Sequence, residues 1–440
     1  MHRIRTIVRS ARAACLLTAA MGLNAVAGDP PAPSPVAPSP SGPPAGATAG
    51  AGAGAAMPTD VRDAEHSGVA FLLGRQEGAE RAEWPYEGVY RVNNQIPFGY
   101  RIGGTGICVE ALLRAPGFAA DQGRAEAVAR AVAFICDGIR EPLMSIDGYK
   151  GGYDVRVWGY VYGARALLAL KAAGATPKGM EERAEEALRW YLAALQKIEI
   201  PEVGGWNYAR KPGAETPCAA SPFVTGPALQ TLFEAAQQRY PVDPAVVSRG
   251  LAALERCRTA SGNFAYSSQG QTREPDQSMP GAIGRMVCAE AVLLRAGRSS
   301  PERVQAAVER FVENWGELEK RRSKQGTHLP PYGVAPYYFF FGFTHAMEAV
   351  ELAPPAAQAL LRDKLKGALF SVRSADGSWN DRVFPRSASY GTAMTMLALG
   401  TPWNPPPARW QAPAADAKTP AGKADAPATA PVGGSGPAGK

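Results

Sequence analysis

Between residues 59 and 401 the chain alternates two kinds of helical stretch. One kind is apolar nearly all round and begins at a cluster of small residues. Gly103-Gly104-Thr105-Gly106 leads into Ile107–Leu113, Trp158-Gly159-Tyr160 into Tyr162–Leu170, and Thr225-Gly226-Pro227 into Ala228–Ala235. Pro280-Gly281-Ala282 leads into Met286–Leu294, Phe341-Gly342 into Phe343–Val350, and Tyr390-Gly391-Thr392 into Ala393–Leu399. A helix without a polar face is a buried helix. The other kind is amphipathic, as in the run Glu181–Leu192 or the run Pro301–Val312, where Ser299 or Ser300 is the predicted N-cap and Pro301 opens the first turn.

Six apolar starts recur at a spacing of roughly 50–60 residues, the signature of a helical-hairpin array. Alternation of buried and half-exposed helices predicts an inner ring and an outer ring. The fold class expected is all-α, an (α/α)6 toroid of about six hairpins. An open solenoid gives similar alternation, but inner helices apolar on every side favour closure. No long alternating β-branched run argues for a sheet.

The ends have a different composition. Arg3, Arg5, Arg9 and Arg12 precede a short alanine-rich apolar stretch and Ala25-Val26-Ala27, so residues 1–27 read as a secretory signal. That stretch is too short to span a bilayer. Residues 28–58 and 402–440 are rich in Pro, Ala, Gly and polar residues and read as disordered linker and tail. The expected domain is 59–401, and the expected location is outside the cytoplasm, in periplasm, envelope or medium. No membrane span is expected after signal cleavage.

The net charge of +7 belongs to the ends: the signal carries four Arg and no acid, and the segment from Thr401 holds four cations against two acids. The nearly neutral remainder gives no electrostatic case for nucleic acid. Five Cys follow the signal, Cys108, Cys136, Cys218, Cys257 and Cys288. Cys108 and Cys288 lie in apolar helical runs and read as small buried hydrophobes; Cys218 and Cys257 are the candidate bridge. No ligand spacing calls for zinc or another metal, and no cofactor is implied.

The outer helices end in a recurring pattern. Tyr191-Leu192, Gln196 and Gly204-Gly205-Trp206 form its fullest copy. Gly68, Phe71-Leu72, Gln76 and Trp84 form a second; Gly367, Phe370 and Gly377-Ser378-Trp379 a third; Gly250, Leu254 and Gly262-Asn263-Phe264 a fourth. This resembles the QW repeat of squalene–hopene cyclases and the wider terpenoid cyclase/protein prenyltransferase superfamily. The resemblance implies a toroid with a central cavity, and a Gln packed on the aromatic ring to tie neighbouring hairpins. It implies no reaction, because fold is not function. The Asp-x-Asp-Asp acid motif of such cyclases is missing.

Candidate chemistry therefore rests on single residues. Asp147 and Asp154 lie near one inner-helix start and Asp276 near another, and these are the candidate acids; an Asp beside Gly also makes turns. Asp381 follows a Trp-bearing turn, where a simple surface role is the expectation. The aromatic residues Tyr153, Trp158, Tyr337, Tyr338 and Tyr390 are expected to line the cavity with His345, able to hold a lipid or sugar ring. Arg101, Arg156, Arg285, Arg382 and Arg386 are expected to converge on one rim, suited to an anion. The leading expectation is a small-molecule, lipid or glycan ligand in a central cavity. A divergent isoprenoid cyclase, a polysaccharide lyase or glycosidase, and a non-catalytic protein-interaction module stay open beside it.

Overall fold

The computed structural model describes residues 56–149, 152–208, 217–268 and 279–411. Among them lie twelve α-helices: α1 (Thr59–Arg75), α2 (Phe98–Arg114), α3 (Gln122–Asp137), α4 (Arg156–Ala172), α5 (Glu181–Lys197), α6 (Pro222–Gln237), α7 (Pro244–Cys257), α8 (Met279–Arg295), α9 (Pro301–Glu319), α10 (Tyr338–Val350), α11 (Pro355–Ser371) and α12 (Ser387–Gly400). Strand pairing among the described residues is confined to four isolated bridges. The even-numbered helices are the six apolar runs. Each packs on the next in turn, and α12 packs back on α2, so the inner ring is closed. The odd-numbered helices form the outer layer. The all-α toroid expected from the sequence is the fold observed.

The outer helices are half-buried by pattern. On α5 the buried residues are Ala184, Ala187, Leu188, Tyr191, Leu192, Ala194 and Leu195, one helical stripe. Three of their starts are capped by side chains: Asp121 accepts from the Arg124 N–H at 2.9 Å, Asp243 from Ala245 at 2.8 Å and Ser300 from Arg303 at 3.3 Å.

One device recurs where an outer helix hands over to the following inner helix. Trp84, Trp206 and Trp379 are fully buried. Each indole N–H donates to a carbonyl near the end of its own outer helix: Leu72 at 2.7 Å, Leu195 at 2.8 Å and Leu369 at 2.8 Å. Each Trp backbone N–H donates to a threonine hydroxyl in the following inner helix: Thr105 at 2.9 Å, Thr225 at 3.0 Å and Thr392 at 3.1 Å. The small residues explain themselves here. A Cβ on Gly104 would stand 2.4 Å from the Trp84 carbonyl oxygen, and one on Gly391 2.4 Å from that of Trp379. Gly makes room for the turn, and the neighbouring Thr catches it.

The glutamines work differently from the resemblance. Gln76 donates to the Ala127 carbonyl of α3 at 2.8 Å and accepts from Arg130 at 2.7 Å. Gln196 accepts from the Asp243 N–H at the head of α7 at 2.8 Å. Each amide thus stitches one outer helix to the next through hydrogen bonds, and the indole N–H is held by a backbone carbonyl.

Two further expectations change. Cys218 and Cys257 are not joined by a disulfide, so the candidate bridge is absent; Cys108 and Cys288 are buried as expected. Ordered structure also runs ten residues past 401. After a short turn at Thr401–Trp403, the segment to Gln411 crosses one end of the ring, with Ala408 buried. The Ala408 carbonyl accepts from Gln230 at 3.1 Å and the Trp410 N–H donates to the Arg295 carbonyl at 3.0 Å. No described helix is long and apolar enough to cross a membrane.

Two outcomes follow for stability. Thr225→Val leaves the buried Trp206 N–H without its acceptor, at a cost of about 1–3 kcal/mol, measurable by urea denaturation. Glu65, on the α1 seam that closes the ring against α12, is 4% exposed, and its Oε1 has no partner among the described residues. Burial pushes its carboxyl up to about 8, against the pull of Arg124. The folded state thus holds a proton that the unfolded chain releases near pH 4.5, so stability is full below about 4.5 and is lost as pH rises through 8. Glu65→Gln removes that slope, and thermal melts at pH 5 and pH 8 will converge relative to the parent.

Candidate ligand cavity

The inner helices bring their first turns together at one end of the ring. Tyr100 (α2), Trp158 (α4), Phe223 and Val224 (α6), Phe341 (α10) and Tyr390 (α12) line a cavity there. The loops that run from outer to inner helices complete it with Tyr86, Tyr90, Tyr153, Tyr208, Thr327, His328, Ala335, Tyr337 and Arg382. The empty space, open solvent at its mouth included, is about 620 Å³. Among the described lining residues no carboxylate appears, and Arg382 is the formal cation.

Most of the rings hold one another edge to face or tilted, while Tyr90 and Tyr153 stack at 3.8 Å. Tyr86 lies 4.6 Å from Tyr390, 5.5 Å from Trp158 and 5.4 Å from Tyr100 between centroids; Phe223 lies 5.1 Å from Phe341. Such mutual packing fixes the wall before any ligand arrives. The phenol groups stay protonated. Burial pushes Tyr100 up to about 12 and raises Tyr86, Tyr208, Tyr337 and Tyr390 well above the usual phenol range. They are hydrogen-bond donors and poor bases, bonded in part to one another, as Tyr337 to Tyr208 at 2.8 Å.

One polar constellation reaches the wall. Asp381 is completely buried. Its Oδ2 accepts from the Tyr86 hydroxyl at 3.0 Å, and that hydroxyl accepts from Arg382 Nε at 2.8 Å. Asp381 Oδ1 has no partner among the described residues. Burial pushes the Asp381 carboxyl up to about 6, against Arg382 and the Tyr86 bond. The surface role expected for Asp381 is therefore corrected: the turn after Trp379 points inward.

Below the aromatic tier five of the inner helices, α2, α4, α6, α8 and α10, turn polar. His345 lies one turn under Phe341, its ring 4.5 Å from that ring, and its Nδ1 is 3.1 Å from Glu348. Burial pulls the imidazole down, but the Cys288 thiol and Glu348 carboxylate push it up to about 9. Arg165 and Arg114 both reach Glu110, at 3.2 and 2.9 Å; Arg295 stands 3.9 Å from Glu348 and bonds Gln230 at 3.2 Å. This tier lies at the helix C-terminal ends, where cations offset the dipoles. The segment with Asn404, Pro405 and Pro407 roofs it over a hollow of about 380 Å³.

Of the residues named from sequence, the structure brings Tyr153, Trp158, Tyr337, Tyr390 and Arg382 together in the cavity. It does not bring the Arg rim together. Arg101 pairs with Glu83 at 2.7 Å, Arg156 with Asp154 at 2.7 Å and Arg386 with Glu77 at 2.7 Å, while Arg285 bonds the Phe264 carbonyl at 2.6 Å. Asp154 is thus a partner of Arg156, and Asp147 is exposed beside Lys197. Asp276 lies outside the described residues. Tyr338 packs behind the wall, stacked on Phe223 at 4.1 Å with its hydroxyl 2.6 Å from His328, and His345 belongs to the polar tier.

The residues missed share a signal. Tyr86, Tyr208 and Asp381 each lie two positions after the aromatic residue of the recurring turn, Trp84, Trp206 and Trp379. Holding that ring outward aims the second side chain after it at the axis.

Solved structures show the fold. An α-1,6-mannanase from Salegentibacter aligns over 78% of this chain and 99% of its own, with 10% identity and a TM-score of 0.50. A family 76 mannosidase from Bacteroides thetaiotaomicron aligns over 78% of this chain and 97% of its own at 12% identity and 0.45. The type II terpene cyclase MstE from Scytonema aligns over 77% of this chain and 97% of its own at 17% identity and 0.43. The chain has the α/α-toroid fold. No protein-family model matches it, and no curated protein matches it in sequence. At such identities the likeness carries the toroid alone; its chemistry rests on the cavity.

Asp381 gives the test of this geometry. Infrared difference spectra of the parent against Asp381→Asn are expected to show a carboxyl that titrates near pH 6. Because the folded value is raised above the usual 3.8, stability falls as pH rises from about 4 through 6, and Asp381→Asn removes that loss.

Proposed function

We propose that this toroid is exported by its N-terminal signal and binds a small apolar ligand in the central cavity, ring-bearing or isoprenoid-like, with an anionic or hydroxyl end at Arg382. The observation that carries this reading is the lining: aromatic walls, protonated phenols and a single described cation. Stacked rings match an apolar or unsaturated body, and a guanidinium matches phosphate or carboxylate. The described wall holds no carboxylate. Hydrolysis calls for two carboxylates across the cleft, and β-elimination calls for a base, whereas these phenols are raised.

Calorimetry with farnesyl monophosphate and farnesol tests the reading. Arg382→Gln is expected to weaken the phosphate at least tenfold and leave the alcohol within threefold; Trp158→Ala weakens both. Tighter binding of uronate oligosaccharides than of either prenyl probe would sink it.

Asp381 supports a second reading, an acid-started reaction on the bound polyene. With Asp381 protonated the Asp381–Tyr86 bond reverses, so that the carboxyl donates to the phenol oxygen and the Tyr86 proton turns to the ligand; the later loss of a ligand proton back through Tyr86 restores the acid. The rate then falls as pH rises through about 6, and Asp381→Asn abolishes turnover of farnesol to cyclic products while leaving farnesol binding intact.

A further inference from the structure

We propose that the hollow at the polar end of the ring is a second binding site, separate from the aromatic cavity and built for a small zwitterion, an α-amino acid with an aliphatic side chain.

The hollow lies toward the C-terminal ends of the inner helices, and Glu110, Arg114, Arg165 and Glu234 are in its lining. These charges do not pair off one to one. Two guanidinium groups share one carboxylate: Arg114 Nε and Arg165 Nη2 both donate to Glu110 Oε1, at 3.0 and 3.2 Å, and Arg165 Nε donates to Glu110 Oε2 at 3.3 Å. That side keeps a positive charge in excess. The Nη1 groups of both arginines make no hydrogen bond among the described residues, so donors remain for a second anion.

Glu234 is the opposite case. It has no ion pair among the described residues, and its side chain accepts one hydrogen bond, from the Gln230 amide at 3.3 Å. Burial pushes its carboxyl up, and Arg165 and Arg114 pull it down from a distance. The third carboxylate of the lining, Glu348, is already held by His345 at 3.1 Å, with Arg295 at 3.9 Å. An excess of positive charge and a carboxylate without a cation thus border one hollow and do not touch. Charges held apart out of water are costly, and a molecule that carries both signs joins them.

A carboxylate group fits the arginine pair, because guanidinium binds it in a fork. An ammonium group fits Glu234, and the negative ends of the helix dipoles that meet here add to its attraction. A plain anion meets Glu234, and a plain amine meets the arginines, so each half alone is disfavoured. Leu397, Pro405 and Pro407 supply an apolar patch for an aliphatic side chain. Pro405 is exposed, so the site borders water.

Thermal melts of the full protein with alanine, valine, leucine, isoleucine or methionine at about 10 mM test this, and at least one is expected to raise the midpoint by about 2 °C or more. Calorimetry then compares the strongest of them with its decarboxylated amine and its deaminated acid; for leucine these are 3-methylbutylamine and 4-methylpentanoate. The amino acid is expected to bind at least tenfold more tightly than either half. Glu234→Gln weakens the amino acid tenfold or more and leaves the deaminated acid within threefold. Arg114→Gln weakens both and leaves the amine within threefold. Neither variant strands a buried charge, since Glu110 keeps Arg165, and melts without ligand check that both fold. The proposal is overturned if none of the five shifts the melt, if either half binds as tightly as the whole, or if Glu234→Gln leaves the affinity unmoved.

Discussion

The bond from a buried tryptophan backbone to an inner-helix threonine governs the structure. At Trp84–Thr105, Trp206–Thr225 and Trp379–Thr392, an outer helix ends, a loop turns inward and an inner helix begins. Each of those Trp N–H groups is fully buried, so it must find an acceptor in protein. The threonine supplies it, at Trp84 and Trp379 the neighbouring glycine lets the loop come close, and the indole N–H ties the same residue back to the outer helix. A joint held at both ends leaves the hairpin little freedom in how it meets the next one. That joint at three of the six hairpins, with the glutamine stitches between two pairs of outer helices, supports the ring, whose closure is the packing of each inner helix on the next.

Closure has a chemical consequence. All six inner helices must present the same end to the same side, so six first turns and the loops that feed them meet around one axis. What gathers there is aromatic, and what gathers at the opposite end is charged. The lumen is therefore graded along its axis. Its polar half is braced by ion pairs, its apolar half is held open by rings packed on one another, and Asp381 with Tyr86 and Arg382 is the place where charge reaches the apolar side.

This grading places cost and use apart. Paired buried charges are weak sources of stability, though breaking one pair is expensive. The lower tier acts as a rigid base, roofed by the segment that ends at Gln411. The raised carboxyls of Asp381 and Glu65 are of another kind, because each keeps an oxygen without a partner among the described residues. Glu65 sits at the seam and serves no cavity. Asp381 sits behind the wall, where a held proton has a neighbour to receive it.

The hydrophobic pattern alone determined the helices, their order and their inner or outer placement, because burial on every side of a helix is written in its residues. The small residues at each inner start were also legible, although their partners were not. The site was legible in part. Trp158 and Tyr390 were placed by their position on inner helices, while Tyr90, Tyr100 and His328 come from loops or unremarked first turns, where no periodicity marks direction. Only the tertiary structure decided that Arg101, Arg156, Arg285 and Arg386 are satisfied elsewhere and that Arg382 is left to the cavity. Side-chain pairing depends on which loops meet across the ring, and sequence spacing holds no record of distance between residues nearly three hundred positions apart, such as Tyr86 and Asp381.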